Sequence, residues 1–308
     1  MPEKSIMIQA DSQAVKLTRP DKVLFPDAGI TKAELVDYYR RVAGWMVPHL
    51  RGRPVSMQRF PDGIEAPGFF QQAAPRFAPD WVKRVTVKKA GGEITHVVCD
   101  NEAILVYLAT QACITPHVWL SREDKLDYPD QMMFDLDPSD AEFDAVKSAA
   151  RVLRGLLAEH GLPAFVKATG SRGLHVVVPL KRTETFEQVR ALALAFAKIL
   201  VSRNPEQWTT EVRKTKRRGR VFIDTHRNSY GQTAAPAYAV RVRPGAPVAV
   251  PLEWEELDRN GLRSDGCTIR DVFKRLESMP DPWKDFSQSA VAVGKVEVDG
   301  ARRVPEKT

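Results

Sequence analysis

The chain is poor in cysteine, with three in 308 residues: Cys99, Cys113 and Cys267. They form no C-x-x-C pair of the kind that binds zinc, and an odd, scattered set is no disulfide framework. Thiols used this sparingly suit a reducing cytosol, so a cytoplasmic location is expected. No run of 18 apolar residues occurs, which argues against a membrane-spanning helix. The opening Met1-Pro2-Glu3-Lys4-Ser5 lacks the basic-then-apolar order of a signal peptide. There are no internal repeats. Acid is in deficit: 46 Lys and Arg face 39 Asp and Glu, for a net charge of +7 and a pI near 9.3. That balance leans towards a polyanionic partner, although a mildly basic enzyme looks the same. With 43% hydrophobic and 28% charged residues, the composition is that of a soluble globular protein.

What is present centres on Gln131-Met132-Met133-Phe134-Asp135-Leu136-Asp137-Pro138. An apolar run leads into two acids one residue apart, and proline ends it. On a strand, residues i and i+2 share a face, so Asp135 and Asp137 project together. Paired carboxylates repel, and a divalent cation with a preference for hard oxygen ligands, magnesium or manganese, removes that cost. The alternative is a solvated strand end before a turn. A second strand, Val221-Phe222-Ile223, delivers another carboxylate, Asp224. The densest basic run, Arg213 to Arg220, feeds directly into it; most such runs are only solvated.

Other segments are placed by periodicity and turn chemistry. Residues 1–15 read as a loose polar arm. Thr31 and Glu34 form a capping box for a helix that Pro48 stops. Lys22 and Lys32 flank the start of that helix, where backbone N–H groups favour anions. Phe69 and Phe70 follow a Pro-Gly loop; adjacent strand residues face opposite ways, so one ring is expected in the core and the other exposed. Residues 101–112 read as a buried helix, leading to Pro116-His117-Val118-Trp119. An amphipathic helix over 141–160 and a strand over 163–168 precede Thr169-Gly170-Ser171-Arg172-Gly173. This small-residue loop between strands offers backbone, hydroxyl and guanidinium groups to phosphate, and His175 follows on the next strand. As a bare hairpin it would be unremarkable.

Taken together these pieces resemble the polymerase domain of bacterial ATP-dependent DNA ligase D, of the archaeo-eukaryotic primase superfamily. The resemblance rests on L-T-R-P-D-K-V-L-F-P (17–26), G-R-P (52–54), F-F (69–70), H-V-W (117–119), F-D-L-D-P (134–138), T-G-S-R-G-L-H (169–175), V-F-I-D (221–224) and A-Y-A-V-R (237–241), in that order. It implies an α/β primase-polymerase fold, with an RRM-like catalytic sheet and a second sheet, both flanked by helices, in one compact domain over 16–290. A flexible arm (1–15) and a disordered tail (291–308) complete the expected organisation.

The resemblance also implies an activity: template-dependent nucleotidyl transfer that extends 3′ ends and fills gaps at DNA breaks, within non-homologous end joining. It further implies a ribonucleotide preference, and Ku and an ATP-dependent DNA ligase as partners. Carried over by position, Asp135, Asp137 and Asp224 bind two divalent ions, manganese or magnesium, with His117 beside them. Ser171, Arg172, His175, Arg241, Arg59 and Phe69 meet the nucleoside triphosphate. Lys22 and Lys32 hold the 5′-phosphate of a gapped or broken end. Phe70, Arg217 and Arg220 meet the DNA.

There are two departures. Relatives often carry lysine where this chain has Gln58, and no K-x-D-G adenylation motif is present. The chain is thus an excised domain or a stand-alone relative, and the initiator methionine and polar tail favour the latter. Three other readings compete: an end-bridging protein without turnover, a metal-dependent nuclease and a primase that starts chains de novo. Intact acids argue against the first, the T-G-S-R-G-L-H loop against the second, and Lys22 with Lys32 against the third.

Overall fold

In the computed structural model, residues 4–298 are described, and they divide into two compact units. The first comprises residues up to Trp119, with 233–250 and 267–279. The second comprises 120–232, 251–266 and the segment from 280.

The first unit opens with β1 (Ser5–Ala10) and β2 (Gln13–Thr18), an antiparallel hairpin in which Ser5 faces Thr18 and Ala10 faces Gln13. The expected loose arm is therefore a hairpin from Ser5 onward; Met1 to Glu3 lie outside the described residues. The reason is tertiary. Val15 and Leu17 are buried, and the Asp11 carboxylate accepts the Ala103 N–H at 3.1 Å, tying the turn to a helix start ninety residues away.

β3 (Val23–Phe25) and β4 (Ile30–Thr31) make a second small hairpin ahead of α1 (Lys32–Leu50). Both halves of the Thr31–Glu34 capping box are formed. Pro48 does not stop this helix, which continues to Leu50. So near the C-terminus, its missing N–H deprives only one carbonyl of its partner.

β5 (Pro54–Arg59), β6 (Phe69–Gln71), β7 (Arg84–Lys89) and β8 (Gly92–Val98) lead to α2 (Glu102–Thr110) and β9 (Cys113–Trp119). The sheet runs Thr233–Ala234, β9, β5, β8, β7, with β6 paired to β5. α2 is buried on every side after Glu102, as an all-apolar helix must be. Cys99 and Cys113 are buried too; burial pushes the Cys113 thiol up to about 12 and raises Cys99 as well, so neither is a ready nucleophile.

The second unit holds β10 (Gln131–Asp137), α3 (Phe143–Glu159), β11 (Phe165–Ala168), β12 (Leu174–Pro179), α4 (Phe186–Arg203), β13 (Trp208–Thr209), α5 (Lys214–Arg217) and β14 (Val221–Asp224). The sheet order is β13, β14, β10, β12, β11, Pro251–Leu252; only β13 and β14 pair in parallel. α3 buries Val146, Leu153, Leu156 and Leu157, and both α3 and α4 pack against β10. Each such leucine is worth about 1.5–3 kcal/mol relative to exposure.

The segment expected to begin a disordered tail is held in place up to Val298. Val291 bridges Leu180, Val293 and Val298 are buried, and the Gly294 N–H donates to Glu184 Oε1 at 2.8 Å. The remainder of that expected tail, 299–308, lies outside the described residues.

His96, on β8, is 2% exposed, and its Nδ1 lies 3.1 Å from the Val55 carbonyl. Burial pushes its pKa below the ordinary 6.5. The unfolded chain therefore takes up a proton near pH 6.5 that the folded chain refuses. Stability from this group is present above that pH and is lost as the pH falls through it. Urea unfolding between pH 7 and 5 should show a shallower loss in His96→Gln than in the parent; parallel curves would remove His96 as the source.

Candidate active site

Period-two alternation on β10 sends Met132, Phe134 and Leu136 into the core and turns Asp135 and Asp137 to the other face. β10 lies between β14 and β12, so Asp135 has two cross-strand neighbours: Asp224 on one side and His175 on the other. Beyond His175, Lys167 on β11 is next in register. Directly opposed residues of an antiparallel pair share a face. The row Asp224, Asp135, His175, Lys167 thus crosses four strands, with Asp137 one step along.

Opposed carboxylates destabilise a sheet, and nitrogen groups surround these. Asp135 meets His175 Nε2 at 3.5 Å and Arg227 Nε at 3.8 Å. Asp224 Oδ1 lies 2.7 Å from the His226 backbone N–H that it accepts and 2.8 Å from the same residue's Nδ1. Asp137 Oδ1 accepts the Ser139 N–H at 2.8 Å, with Arg172 Nη2 at 3.4 Å. The three side chains are 20–32% exposed.

Among the described residues no group of three or more His, Cys, Asp or Glu side chains is placed so that it could hold a metal ion. The donor chemistry nevertheless suits hard divalent ions: Asp135 and Asp224 are in register on neighbouring strands, Asp137 follows two residues along, and the bonds to Asp137 and Asp224 fall on Oδ1.

The Thr169–Gly173 loop stands beside this row, but its backbone is turned inward. The Thr169 N–H donates to the Gly173 carbonyl, the Gly170 N–H to the Ser264 carbonyl, and the Ser171 and Gly173 N–H groups to Thr169 Oγ1. Four of the loop's backbone N–H groups, those of Thr169, Gly170, Ser171 and Gly173, are therefore spent on closing it. The side chains of Ser171, Arg172 and His175 remain as the candidate contacts. Gly173 could carry no side chain, since a Cβ there would sit 2.0 Å from the Leu136 carbonyl oxygen.

Arg217 and Arg220 are engaged within the basic segment. Arg217 is 6% exposed, stacks 3.8 Å over Phe222, and donates to the carbonyls of Glu211 and Val212 and to Ser139 Oγ. Arg220 donates to the carbonyls of Arg217, Pro205 and Lys216. Both brace the basic segment rather than extend from it, because carbonyls left over by its tight turns need donors.

The remaining expected residues belong to the first unit. On β6 both Phe69 and Phe70 are exposed, at 48% and 58%, instead of one being core. This three-residue strand pairs with β5 at the side of the sheet, and both rings stay largely in solvent. Arg59 lies 5.4 Å over Phe69, and Phe70 meets His117 edge-on at 5.2 Å. Gln58 Oε1 is 3.3 Å from His117 Nε2. Lys22 pairs with Asp62 and holds that carboxyl below the usual range. Lys32 is 6% exposed, with its ammonium donating to the Thr18 carbonyl at 3.0 Å. The Arg241 N–H donates to the Pro247 carbonyl at 2.7 Å.

Sequence reasoning missed Arg227, His226, Lys167 and Ser264. The first two had a signal, a polar pair just after a strand-end acid. Lys167 and Ser264 had none, because register and a contact across 91 residues bring them in.

The model of the LigD primase-polymerase domain matches residues 31–283. The chain belongs to this family. Members are DNA-directed nucleotidyltransferases that need metal ions and a nucleoside triphosphate. The multifunctional non-homologous end joining DNA repair protein LigD of Mycobacterium tuberculosis is 36% identical over 266 residues, covering 83% of this chain and 35% of the relative. The Pseudomonas aeruginosa LigD protein is 32% identical over 282 residues, covering 91% and 34%. The chain thus spans about a third of the length of these relatives. Among solved structures, the polymerase domain of M. tuberculosis ligase D, in complex with DNA, aligns with TM-score 0.85 and 34% identity. That match covers 90% of this chain and 99% of that one. The primase-polymerase fold expected from the sequence is the fold observed.

Gly173→Ala should destabilise the family domain by about 1–3 kcal/mol, the range for forcing a methyl into filled space. Denaturant unfolding reads this. A variant as stable as its parent would mean the backbone at Leu136 has room to yield.

Proposed function

We propose that this chain is a template-dependent nucleotidyltransferase that extends 3′ ends and fills gaps at DNA breaks in non-homologous end joining. The observation that carries this is the carboxylate pair Asp135 and Asp224, in register on neighbouring strands, with Asp137 and a Ser-Arg-His set beside it. A site that handles a triphosphate needs anionic ligands for metal ions and cationic groups for phosphates, side by side.

In this reading Asp135, Asp137 and Asp224 hold two divalent ions, manganese or magnesium. Such ions lower the pKa of the primer 3′ hydroxyl and stabilise charge on the α-phosphate during in-line displacement. The chain's own groups do the rest. His226 holds Asp224 by Oδ1, which orients the carboxylate nearest the attacking hydroxyl. Ser171, Arg172 and His175 bind and orient the triphosphate, and Arg172 exchanges its long contact to Asp137 for a phosphate. By family membership, Arg59, Phe69, His117 and Arg241 are assigned to the nucleotide and Phe70 to the DNA. Lys22 and Lys32 take the 5′-phosphate, with Lys22 the more accessible of the two and its exposed pairing with Asp62 cheap to break. Ribonucleotide preference, the pairing with Ku and an ATP-dependent ligase, and a cytoplasmic location complete the proposal, from family membership. Among the described residues no helix is long and apolar enough to cross a membrane.

The deciding assay is primer extension across a one-nucleotide gap bearing a 5′-phosphate, with manganese and either rNTPs or dNTPs. The parent should add the templated nucleotide, rNTP faster. Asp135→Ala, Asp137→Ala and Asp224→Ala should each lose at least about a hundredfold in rate while folding normally. Extension at parental rate by any of the three would refute the metal-site assignment. Tight end binding without addition by the parent would favour an end-bridging protein.

Lys22→Ala combined with Lys32→Ala should weaken binding to the 5′-phosphorylated gap by about five- to tenfold more than to the 5′-hydroxyl gap. Equal loss on both DNAs would reduce the two lysines to general electrostatics.

A further inference from the structure

The Thr169–Gly173 loop is closed from within by bonds between Thr169, Ser171 and Gly173. Two of its five residues are glycine, with high conformational freedom in the open chain. Ser264, which comes from the second unit's 251–266 stretch and is 5% exposed, clasps it from outside. The Ser264 hydroxyl donates to the Gly173 carbonyl at 2.6 Å. Its oxygen lies 3.2 Å from the Thr169 N–H and 3.1 Å from Thr169 Oγ1. Its carbonyl accepts the Gly170 N–H at 3.1 Å.

The proton order follows from these contacts. Ser264 Oγ accepts from the Thr169 backbone, so its single proton goes to Gly173. Thr169 Oγ1 likewise donates to Gly173, at 3.0 Å, while accepting from the Ser171 and Gly173 N–H groups. Ser264 is itself held in a turn. The Gly266 N–H donates to the Arg263 carbonyl at 3.2 Å, and the Arg263 guanidinium grips Asp265 through two bonds, at 3.0 and 3.1 Å.

We propose that Ser264 is a positioning residue for the nucleoside triphosphate: it clasps the loop from behind so that the Ser171 and Arg172 side chains point at the phosphates. This rests on the polymerase reading above. With the loop amides spent inward, phosphate recognition depends on where two side chains are aimed, and that aim depends on the clasp. Ser264 touches neither substrate nor metal ligands. Its loss therefore changes how well the triphosphate is gripped, not the chemistry that follows.

The test is steady-state gap filling by the full chain, titrating NTP and gapped DNA separately, with S264A, R172A and the double variant, and thermal unfolding of each. S264A should raise KM for NTP about five- to tenfold, the effect of one buried hydrogen bond. Its kcat should stay within about twofold and KM for DNA should not move. R172A should raise KM for NTP as well, and in that background S264A should add less than about twofold, because the two act through one loop. If R172A raises KM for NTP but S264A does not, or if S264A lowers the melting temperature and raises both KM values alike, Ser264 is only structural and the proposal falls. If R172A leaves KM for NTP unchanged, the loop does not bind triphosphate, and the site reading falls first.

Discussion

Two negative charges on neighbouring strands, Asp135 and Asp224, face each other across a single β-ladder. At the spacing of opposed residues, about 5 Å, two such charges repel by roughly 1 kcal/mol in water and by several times that near a protein surface. Much of the second unit can be understood as a response. His175 and Arg227 flank Asp135, His226 holds Asp224, and Arg172 with the Ser139 N–H holds Asp137. These contacts lower the cost of keeping the acids together without neutralising them. In the proposed reading divalent cations would supply the balance, and a repulsive arrangement suits a site that recruits metal ions.

The same economy governs the phosphate side. Many phosphate loops present backbone N–H groups to the ligand. Here those groups close the loop on itself and on Ser264, and Gly173 lets it pass against the Leu136 carbonyl. In the proposed reading, recognition shifts to side chains, Ser171, Arg172 and His175, carried on a braced backbone. Bracing recurs in the basic segment before β14. There Arg217 and Arg220 satisfy carbonyls rather than project into solvent, so the densest positive run in the chain presents fewer free charges than its composition suggests.

Local elements were largely legible. The α1 capping box, the all-apolar α2 and the amphipathic α3 follow from cap chemistry and periodicity, which depend on neighbours in sequence. The misreadings share one cause: each was decided by a distant partner or by the lack of one. The N-terminal hairpin is ordered because Asp11 reaches α2 and because Val15 and Leu17 find a core. Phe69 and Phe70 are both largely exposed because β6 is a short strand paired, among the described residues, with β5 alone. The burial of Lys32 and Arg217 on carbonyl oxygens is likewise invisible to any local window.

By itself the sequence determined the residue types of the site and their pairwise spacing within a strand. Asp135 and Asp137 share a face because side chains alternate along any strand, and the ordered motifs were enough to mark the family. Only the tertiary structure decided which strands are neighbours. Register set Asp224 and His175 on either side of Asp135 and put Lys167 at the end of the row. It also brought Ser264 behind the phosphate loop from 91 residues away. Strand order and such clasps are settled by which buried surfaces and hydrogen-bonding groups find partners in the whole fold, and no local window of sequence contains that information.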